Sequence, residues 1–512
     1  MVHVHPVGSG DERASYCVPC LQLQLLTVSA GCVTIDILPD DVLLHIFYLD
    51  GLEDADRLWH LSWWIRLVHV CWRWRSLVFA SPNFLGLRLV CGPWTREELT
   101  GIWPPLPIIL TNMVDGPKPE DYNFDVAIAH HNRVCEIHLL RLTSSQLQRM
   151  GSAMQEQFPA LIHLMLDFDG HHGRQAPPLP KGFLGGSAHR LQFLTFHSIP
   201  FPALPKLLLS ATDLVRLTLR NIPHSGYFSP ETIVPSLAVL ANLKSLVIAF
   251  ESPDRVRRRI PPPTGLTRTG QGGTLTRTVL PALTRFEFQG VSEYLEDFVA
   301  RIDAPLLESI WITFFHQLIF HIPQLAQFMG RTTRLQVSKE AHVEFDNYGV
   351  QVESLPATQA IDEKSRLRIS CRELDWQLSS LAQIFTSFFP SISMVEALYI
   401  FGPRYLPPHW KDEIENVQVL DIFRPFTGVK NLYASERFTQ CIAPALQELV
   451  VERGWVTDVL PRMQSLILEG LRQSGPIREA IGQFVGARQL SDHPVAISRW
   501  EETRNMFLHR LL

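Results

Sequence analysis

Apolar residues recur along most of this chain in a six-residue pattern, apolar-x-x-apolar-x-apolar, with longer polar and helical stretches between the copies. The alternation within each copy is typical of a half-buried β-strand, because residues two apart in a strand face the same side. Most copies start about 23–30 residues apart, the period of leucine-rich repeats. The clearer copies begin at Val134, Leu161, Leu191, Leu214, Leu243, Leu283, Leu307, Val395 and Leu446, and weaker copies follow Thr332 and Ser365.

The segments between these predicted strands read as helices, and a proline often ends each helix two residues before the next copy. These prolines are Pro159, Pro281, Pro305 and Pro444. One strand and one helix cannot bury their apolar faces alone, so neighbouring repeats must stack. The pattern therefore predicts an α/β repeat over residues 126–480, a leucine-rich-repeat-like solenoid with a parallel sheet on its concave face.

Three segments fall outside this pattern. Residues 250–280 hold a run of arginines, three consecutive prolines and several glycines, which predicts an exposed insertion with incidental charge. Residues 86–125 form a Pro-rich connection. The last segment, 481–512, reads as helix, loop and helix, and we expect it to cap the open end of the solenoid.

A different pattern occupies Ile37 to Leu77. Pro39 suits the first turn of a helix, because its φ is fixed and it has no N–H to leave unpaired. Apolar residues then recur at helical spacing in two groups. The first is Val42, Leu43, Ile46 and Phe47, which we read as one face, and the second runs from Leu67 to Val78 and includes Trp74. So small a unit has too little core to hold both faces alone, so they must dock on the rest of the chain or on a partner.

The residues of this segment resemble an F-box, in particular the kind of F-box that heads large families of fungal proteins. The resemblance rests on Leu38-Pro39, Ile46-Phe47, Val70-Cys71-x-x-Trp74-Arg75 and Ser81-Pro82-x-Phe84. It implies a three-helix module at residues 35–85 that binds the adaptor of an SCF-type cullin–RING ubiquitin ligase. The adaptor-binding residues that it implies are Leu38, Pro39, Ile46, Phe47 and Trp74. Irregular repeats like those of this chain resemble the ones that accompany the F-box in fungal proteins.

Composition narrows the location and the partners. Of the 512 residues, 46% are hydrophobic and 19% charged, which is typical of a packed globular protein. The net charge of −5 favours neither nucleic acid nor an anionic membrane as a partner. Residues 1–34 lack the basic start of a secretory signal and predict a poorly ordered leader. No membrane span is apparent, and eight scattered cysteines favour reduced thiols, so we expect a cytoplasmic or nuclear protein.

No catalytic motif and no convincing metal site emerge from the sequence. Asp167, Asp169, His171 and His172 lie together after a predicted strand, but adjacency alone does not supply the geometry of a zinc site, and a polar turn is the better interpretation. Cys17-x-x-Cys20 has no second ligand pair at a fitting distance. We therefore expect a protein that is not an enzyme and that has no cofactor and no metal.

Side chains between the strand anchors should project from the concave face, where aromatic residues and arginine are the types that anchor protein interfaces. Glu136 and His138 belong to this set. The candidate substrate-binding residues are His163, Arg216, Arg220, Trp311, Tyr399 and Phe401. A helix or loop of the same chain that covers part of this face is the alternative.

Two functional hypotheses follow. In the first, the protein is the substrate-recruiting subunit of a cullin–RING ubiquitin ligase, with the adaptor on the N-terminal helices and an unidentified target protein on the repeats. In the second, it is a non-catalytic interaction scaffold whose F-box-like hairpin only caps the solenoid. Exposure of a face that carries Pro39, Ile46 and Phe47 would favour the first hypothesis, and its burial the second.

Overall fold

The chain divides into two units, Met1–Leu85 and Gly86–Leu512. The computed structural model describes residues 35–53, 63–92, 105–112, 124–170, 175–252, 277–315, 317, 319–332, 335, 339–355, 365–371, 374–388, 392–402, 415–451, 456–470 and 474–500. The expected leader, most of the Pro-rich connection and most of the expected insertion lie outside these residues.

The described part of the N-terminal unit contains three α-helices. They are α1 (Asp40–Glu53), α2 (Trp63–Val68) and α3 (Trp72–Ala80), after a 3-10 turn at Ile35–Ile37. Asp40 and Asp41 lie in the first turn of α1, where the helix dipole favours carboxylates. Cys71 is the N-cap of α3, and its sulfur accepts a hydrogen bond from the Trp74 amide at 3.5 Å. The segment that reads as one helix in the sequence is therefore two helices with a break at 69–71.

One side of α1 forms the core of this unit. Leu43 and Phe47, one helical turn apart, are 0% and 1% exposed, and the Phe47 ring lies 4.7 Å from that of Trp74. Trp64 and Val68 of α2 are buried as well. The expected face of Val42, Leu43, Ile46 and Phe47 spans about 140° around the helix, and only its Leu43–Phe47 side enters the core. Val42 and Ile46 point away from the core.

The repeat unit contains one large, mainly parallel sheet. Its strands and those of a small second sheet are β1 (Leu89–Cys91), β2 (Ile108–Thr111), β3 (Val134–Leu142), β4 (His163–Phe168), β5 (Phe193–His197), β6 (Arg216–Ile222), β7 (Ser245–Phe250), β8 (Thr278–Val279), β9 (Arg285–Gly290), β10 (Ile302–Asp303), β11 (Ser309–Phe315), β12 (Glu340–Asp346), β13 (Gly349–Leu355), β14 (Ser365–Ser370), β15 (Ala397–Phe401), β16 (Asn431–Ala434), β17 (Ser465–Glu469) and β18 (Ala496–Trp500).

The helices of this unit lie between the strands in the chain. They are α4 (Asp125–Ile128), α5 (Ser144–Ala153), α6 (Leu204–Leu208), α7 (Pro230–Leu237), α8 (Ser292–Ala300), α9 (Pro323–Arg331), α10 (Leu374–Phe388), α11 (Asn416–Phe423), α12 (Glu436–Val451) and α13 (Pro476–Leu490), with 3-10 turns at Phe183–Gly186, His224–Gly226 and Ile392–Met394. From α6 to α13 each helix packs against the next, so the helices form a layer.

The apolar anchors of the repeats lie in register across the sheet. Leu164, Leu194, Leu217, Leu246, Phe286 and Ile310 form one continuous row of paired positions on parallel strands. Each is at most 1% exposed, and burying such a side chain contributes about 1.5–3 kcal/mol. The α/β repeat architecture with a parallel-dominated sheet is therefore confirmed for this part of the chain.

The sequence predicted a parallel sheet, but the observed sheet is not parallel throughout. The strands run in the order β1 to β7, then β9, β11, β14, β13, β12, β15, β16, β17 and β18. Strand β13 is antiparallel to both β12 and β14. A tight turn at 347–348 reverses the chain here, and β14 then returns beside β11, so one hairpin is inserted into the parallel order.

The expected strand at Leu446–Val451 is wrong. These residues end α12, and Pro444 lies inside that helix and does not terminate it. Buried Phe438, Ile442, Leu446 and Leu449 recur every three or four residues, which is a helical stripe. The strands of this region are β16 and β17, on either side of α12.

The C-terminal segment also differs from the expected helix, loop and helix. Helix α13 is present, but Ala496–Trp500 form β18, which extends the sheet by pairing in parallel with β17. Residues 501–512 lie outside the described part of the chain. The described end of the repeats is therefore a strand.

Candidate interaction surfaces

The outward side of α1 presents an apolar strip. Val42, Ile46 and Leu49 are 40%, 43% and 60% exposed and follow one another at helical spacings of four and three residues. Pro39, directly before the helix, is exposed too, whereas Leu38 is half-buried. Of the five residues that the F-box resemblance implies, Pro39 and Ile46 are thus accessible, and Phe47 belongs to the core.

Arg73 fixes the start of α1 against α3. Its guanidinium lies 2.6 Å from Asp40 Oδ1 and donates a second hydrogen bond to the carbonyl oxygen of Leu38 at 2.5 Å. Arg75 likewise donates to the Val68 carbonyl at 2.9 Å and so ties α3 to α2. The Arg73 contacts hold the Leu38 carbonyl and the first residue of α1 in a set position beside the strip. Trp74, the fifth implied residue, is half-buried against Phe47.

One face of the large sheet is half-exposed, and we call it the open face. It carries the side chains that alternate with the buried anchors, as His163, Met165 and Asp167 do along β4. Strand alternation places every candidate substrate-binding residue on this face, in four groups on four strands: His163 on β4, Arg216 and Arg220 on β6, Trp311 on β11, and Tyr399 and Phe401 on β15.

These groups are far apart. From β4 to β15 the sheet order counts nine strand spacings of about 4.8 Å, so the face extends about 43 Å between His163 and Tyr399. A small molecule cannot reach all of them. Only a macromolecular partner would use the open face as one surface.

Trp311 sits between two arginines. The guanidinium carbons of Arg285 and Arg366 lie 4.4 and 4.9 Å from its ring centre, close enough for cation–π attraction. Arg366 also pairs with Glu353 at 2.5 Å. Arg220 pairs with Glu287 at 2.7 Å but is still 46% exposed. The tryptophan is therefore held rigid, with flanking positive charge.

Tyr399 belongs to an aromatic group. Its ring stacks on that of Tyr433 at 4.2 Å and lies 4.5 Å from the ring of His342, which is also 6.1 Å from Phe401. Burial, and then the neighbouring Tyr433, raise the pKa of Tyr399 above its usual value, so its hydroxyl stays protonated. The group offers a flat aromatic surface with hydrogen-bonding hydroxyls.

Glu136, His138 and His163 converge at the β3–β4 end of the open face. Glu136 is paired in register with His163, and His138 lies two residues further on the same side of β3. Glu136 Oε2 is 3.0 Å from His138 Nε2, and its other oxygen pairs with the Arg88 guanidinium. One ligand atom from each of the three residues lies within 4.8 Å of the other two.

Burial and charge set the protonation of this cluster. Burial, and then the neighbouring His138, lower the pKa of His163 to about 4, with Arg216 acting in the same direction. Burial alone would raise the pKa of Glu136, but the hydrogen bond with His138 and the charge of Arg88 bring it below its usual value. At neutral pH the cluster therefore contains a carboxylate beside a neutral imidazole of His163.

The sequence predicts that these three residues share one face but does not predict that they form a cluster. The signal was Glu-x-His on one predicted strand and a histidine at the matching position of the next repeat. By contrast, Asp167 pairs with His197 at 2.6 Å, while His171 and His172 lie outside the described residues. Cys17 and Cys20 are outside them as well.

The resemblance of this chain to known proteins is distant. No protein-family model and no curated protein matches the chain. Among the solved structures that resemble it is the leucine-rich repeat-containing protein LegL7 from Legionella pneumophila, which is 14% identical, has a TM-score of 0.25, and covers 69% of this chain and 91% of its own. Every helix in the described ranges is too short or too polar to cross a membrane.

Proposed function

We propose that this protein is the substrate-recruiting F-box subunit of an SCF-type cullin–RING ubiquitin ligase. In this proposal residues 35–85 bind the adaptor, the repeat unit binds a target protein, and the chain itself performs no chemistry. The protein acts in the cytoplasm or nucleus, on a target protein that binds the open face.

The observation that carries the proposal is the apolar strip of α1. Val42, Ile46 and Leu49 are exposed although Leu43 and Phe47 already supply the core of the same helix. Burying the exposed parts of these three side chains against a partner contributes about 2–4 kcal/mol. This is one part of the free energy that must offset an association cost of about 4–15 kcal/mol, and the cost is lower because the helix is already folded. The F-box resemblance of the surrounding residues points to the ligase adaptor as that partner.

The open face supports the second half of the proposal. Its rigid tryptophan, its aromatic group around Tyr399 and its exposed Arg220 are residue types that dominate protein interfaces. Their spread over tens of ångströms fits a protein target better than a metabolite.

Affinity purification tests the proposal. The intact chain and a chain that lacks residues 35–85 are each recovered from cells, and the bound proteins are identified by mass spectrometry. We expect the adaptor and the cullin with the intact chain only, and target proteins with both. Absence of the adaptor from the intact chain would contradict the proposal and favour the scaffold, in which the N-terminal helices have no ligase partner.

A further inference from the structure

We propose that Glu136, His138 and His163 form a binding site for a late first-row divalent cation, with Zn²⁺ as the reference ion. Imidazole nitrogen and carboxylate oxygen are the ligands such ions take, and two histidines with one carboxylate is a recurrent set for zinc. This site is independent of the ligase function and was not expected from the sequence.

The backbone presets the ligand geometry. Glu136 and His163 are paired on adjacent parallel strands, and His138 follows Glu136 by two residues on the same side of the sheet. All three ligands therefore stand on paired strands of the large sheet and not on loops, which limits the movement that binding requires.

The distances fit a tetrahedral ion. With bonds of about 2.0–2.1 Å, two ligand atoms of a tetrahedral zinc site are about 3.3 Å apart. Glu136 Oε2 and His138 Nε2 are already 3.0 Å apart, and the three ligand atoms all lie within 4.8 Å of one another. A side-chain adjustment of about 1–1.5 Å at His163 closes the site.

A metal ion takes the place of a proton in this arrangement. The cation replaces the hydrogen shared by His138 Nε2 and Glu136 Oε2. In the neutral imidazole that binds the cation, the single ring hydrogen is on Nδ1, so Nε2 and the carboxylate oxygen each offer a lone pair to the ion. Three protein ligands leave the fourth tetrahedral position to water on the open face.

Neighbouring groups limit the affinity. Arg88 holds the second oxygen of Glu136, which orients the carboxylate but places a positive charge near the ion. The Phe193 ring lies 5.3 Å from that of His163, and the His138 side chain is only 7% exposed, so the ligands are partly shielded from water. We expect a Kd of about 1–10 μM, weaker than that of four-ligand structural sites.

Titration of the full chain with Zn²⁺ against a chromogenic chelator tests the site. We expect the wild type to bind one equivalent of Zn²⁺. In the variant H138N/H163N this equivalent should be lost, with an affinity at least about 100-fold lower. The matched control H189N changes an exposed histidine of the same unit and should retain that equivalent. Thermal unfolding without metal checks that the variants are folded, and added Zn²⁺ should raise the Tm of the wild type and of H189N only.

Co²⁺ spectra separate this site from cysteine thiolates elsewhere in the chain. Nitrogen and oxygen ligands give weak visible bands without the intense near-ultraviolet charge-transfer band of thiolate ligation. We expect the visible bands to disappear in H138N/H163N and to persist in C17S/C20S. Equal Zn²⁺ binding by wild type and H138N/H163N, or no binding by the wild type below about 100 μM, would overturn the proposal.

Discussion

At the scale of single residues, Ile46 and Phe47 are adjacent in the chain but have opposite environments. Phe47 is 1% exposed against Trp74, whereas Ile46 is 43% exposed. We expect Phe47→Ala to lower the free energy of unfolding of the N-terminal unit by about 3–5 kcal/mol, because it leaves a cavity in a small core. Ile46→Ala should change it by no more than about 0.5 kcal/mol. Hydrogen exchange of the α1 amides measures both, and equal effects would show that the two faces are wrongly assigned.

Arg488 is a second residue whose burial decides its role. Its side chain is 0% exposed and donates to the carbonyl oxygens of Val456, Leu460, Pro461 and Met463 at 3.0–3.4 Å. Burial lowers the pKa of its guanidinium. The four carbonyl oxygens oppose this effect, because they accept hydrogen bonds from the charged group.

Replacing Arg488 by methionine should therefore destabilise the C-terminal repeats by about 3 kcal/mol, since it leaves buried carbonyls without donors. Arg478→Met, an exposed position of the same helix α13, is the control and should have little effect. Urea unfolding measures the difference, and a neutral Arg488→Met would mean that water reaches these carbonyls.

At the scale of elements, the inserted hairpin depends on a glycine. A Cβ at Gly349 would lie 2.1 Å from the carbonyl oxygen of Ile369, across the β13–β14 pair. Gly349→Ala should thus cost about 1–3 kcal/mol through forced separation of the strands. Gly330→Ala in α9 has open space around the new methyl and should stabilise by about 0.5–1 kcal/mol. Thermal unfolding of the two variants should shift in opposite directions; a shift in the same direction would contradict this register.

The elements that the sequence predicted well are those with one consistent period. The copies at Leu161, Leu191 and Leu214 are strands in the structure, because apolar and other residues alternate regularly at the end of each copy. The copy at Leu446 failed because apolar-x-x-apolar is also a helical spacing, and the stripe through Phe438 and Ile442 extends it. The longer stripe was the deciding signal.

Some features of the candidate sites can be predicted from a single sequence, and others require the three-dimensional structure. Strand alternation placed Arg216, Trp311 and Tyr399 on one face correctly. The pairing of Glu136 with His163 requires the strand register, and the approach of Arg88 to Glu136 involves residues 48 positions apart. The division of α1 into a buried and an exposed side was not available from helical geometry, because residues 42, 43, 46 and 47 span about 140° around the axis, within the width of one amphipathic face.

At the scale of the whole molecule, the two units would each bind a different partner. The N-terminal unit offers a narrow apolar strip on one helix, and the repeat unit offers a broad face with aromatic groups and arginines. A strip of this kind suits one constant partner, whereas side chains of the open face can vary without altering the anchors beneath them. This division is what the ligase proposal requires.

Binding of the purified full-length chain to the purified ligase adaptor tests the central claim most directly. Ile46→Asp places a charge in the exposed strip and leaves the Phe47 core intact, while Leu209→Asp adds the same charge at a 53% exposed leucine of the repeat unit. We predict that Ile46→Asp raises the Kd at least about 100-fold and that Leu209→Asp leaves it unchanged. Wild-type affinity in Ile46→Asp, or no adaptor binding by the unmodified chain, would contradict the account.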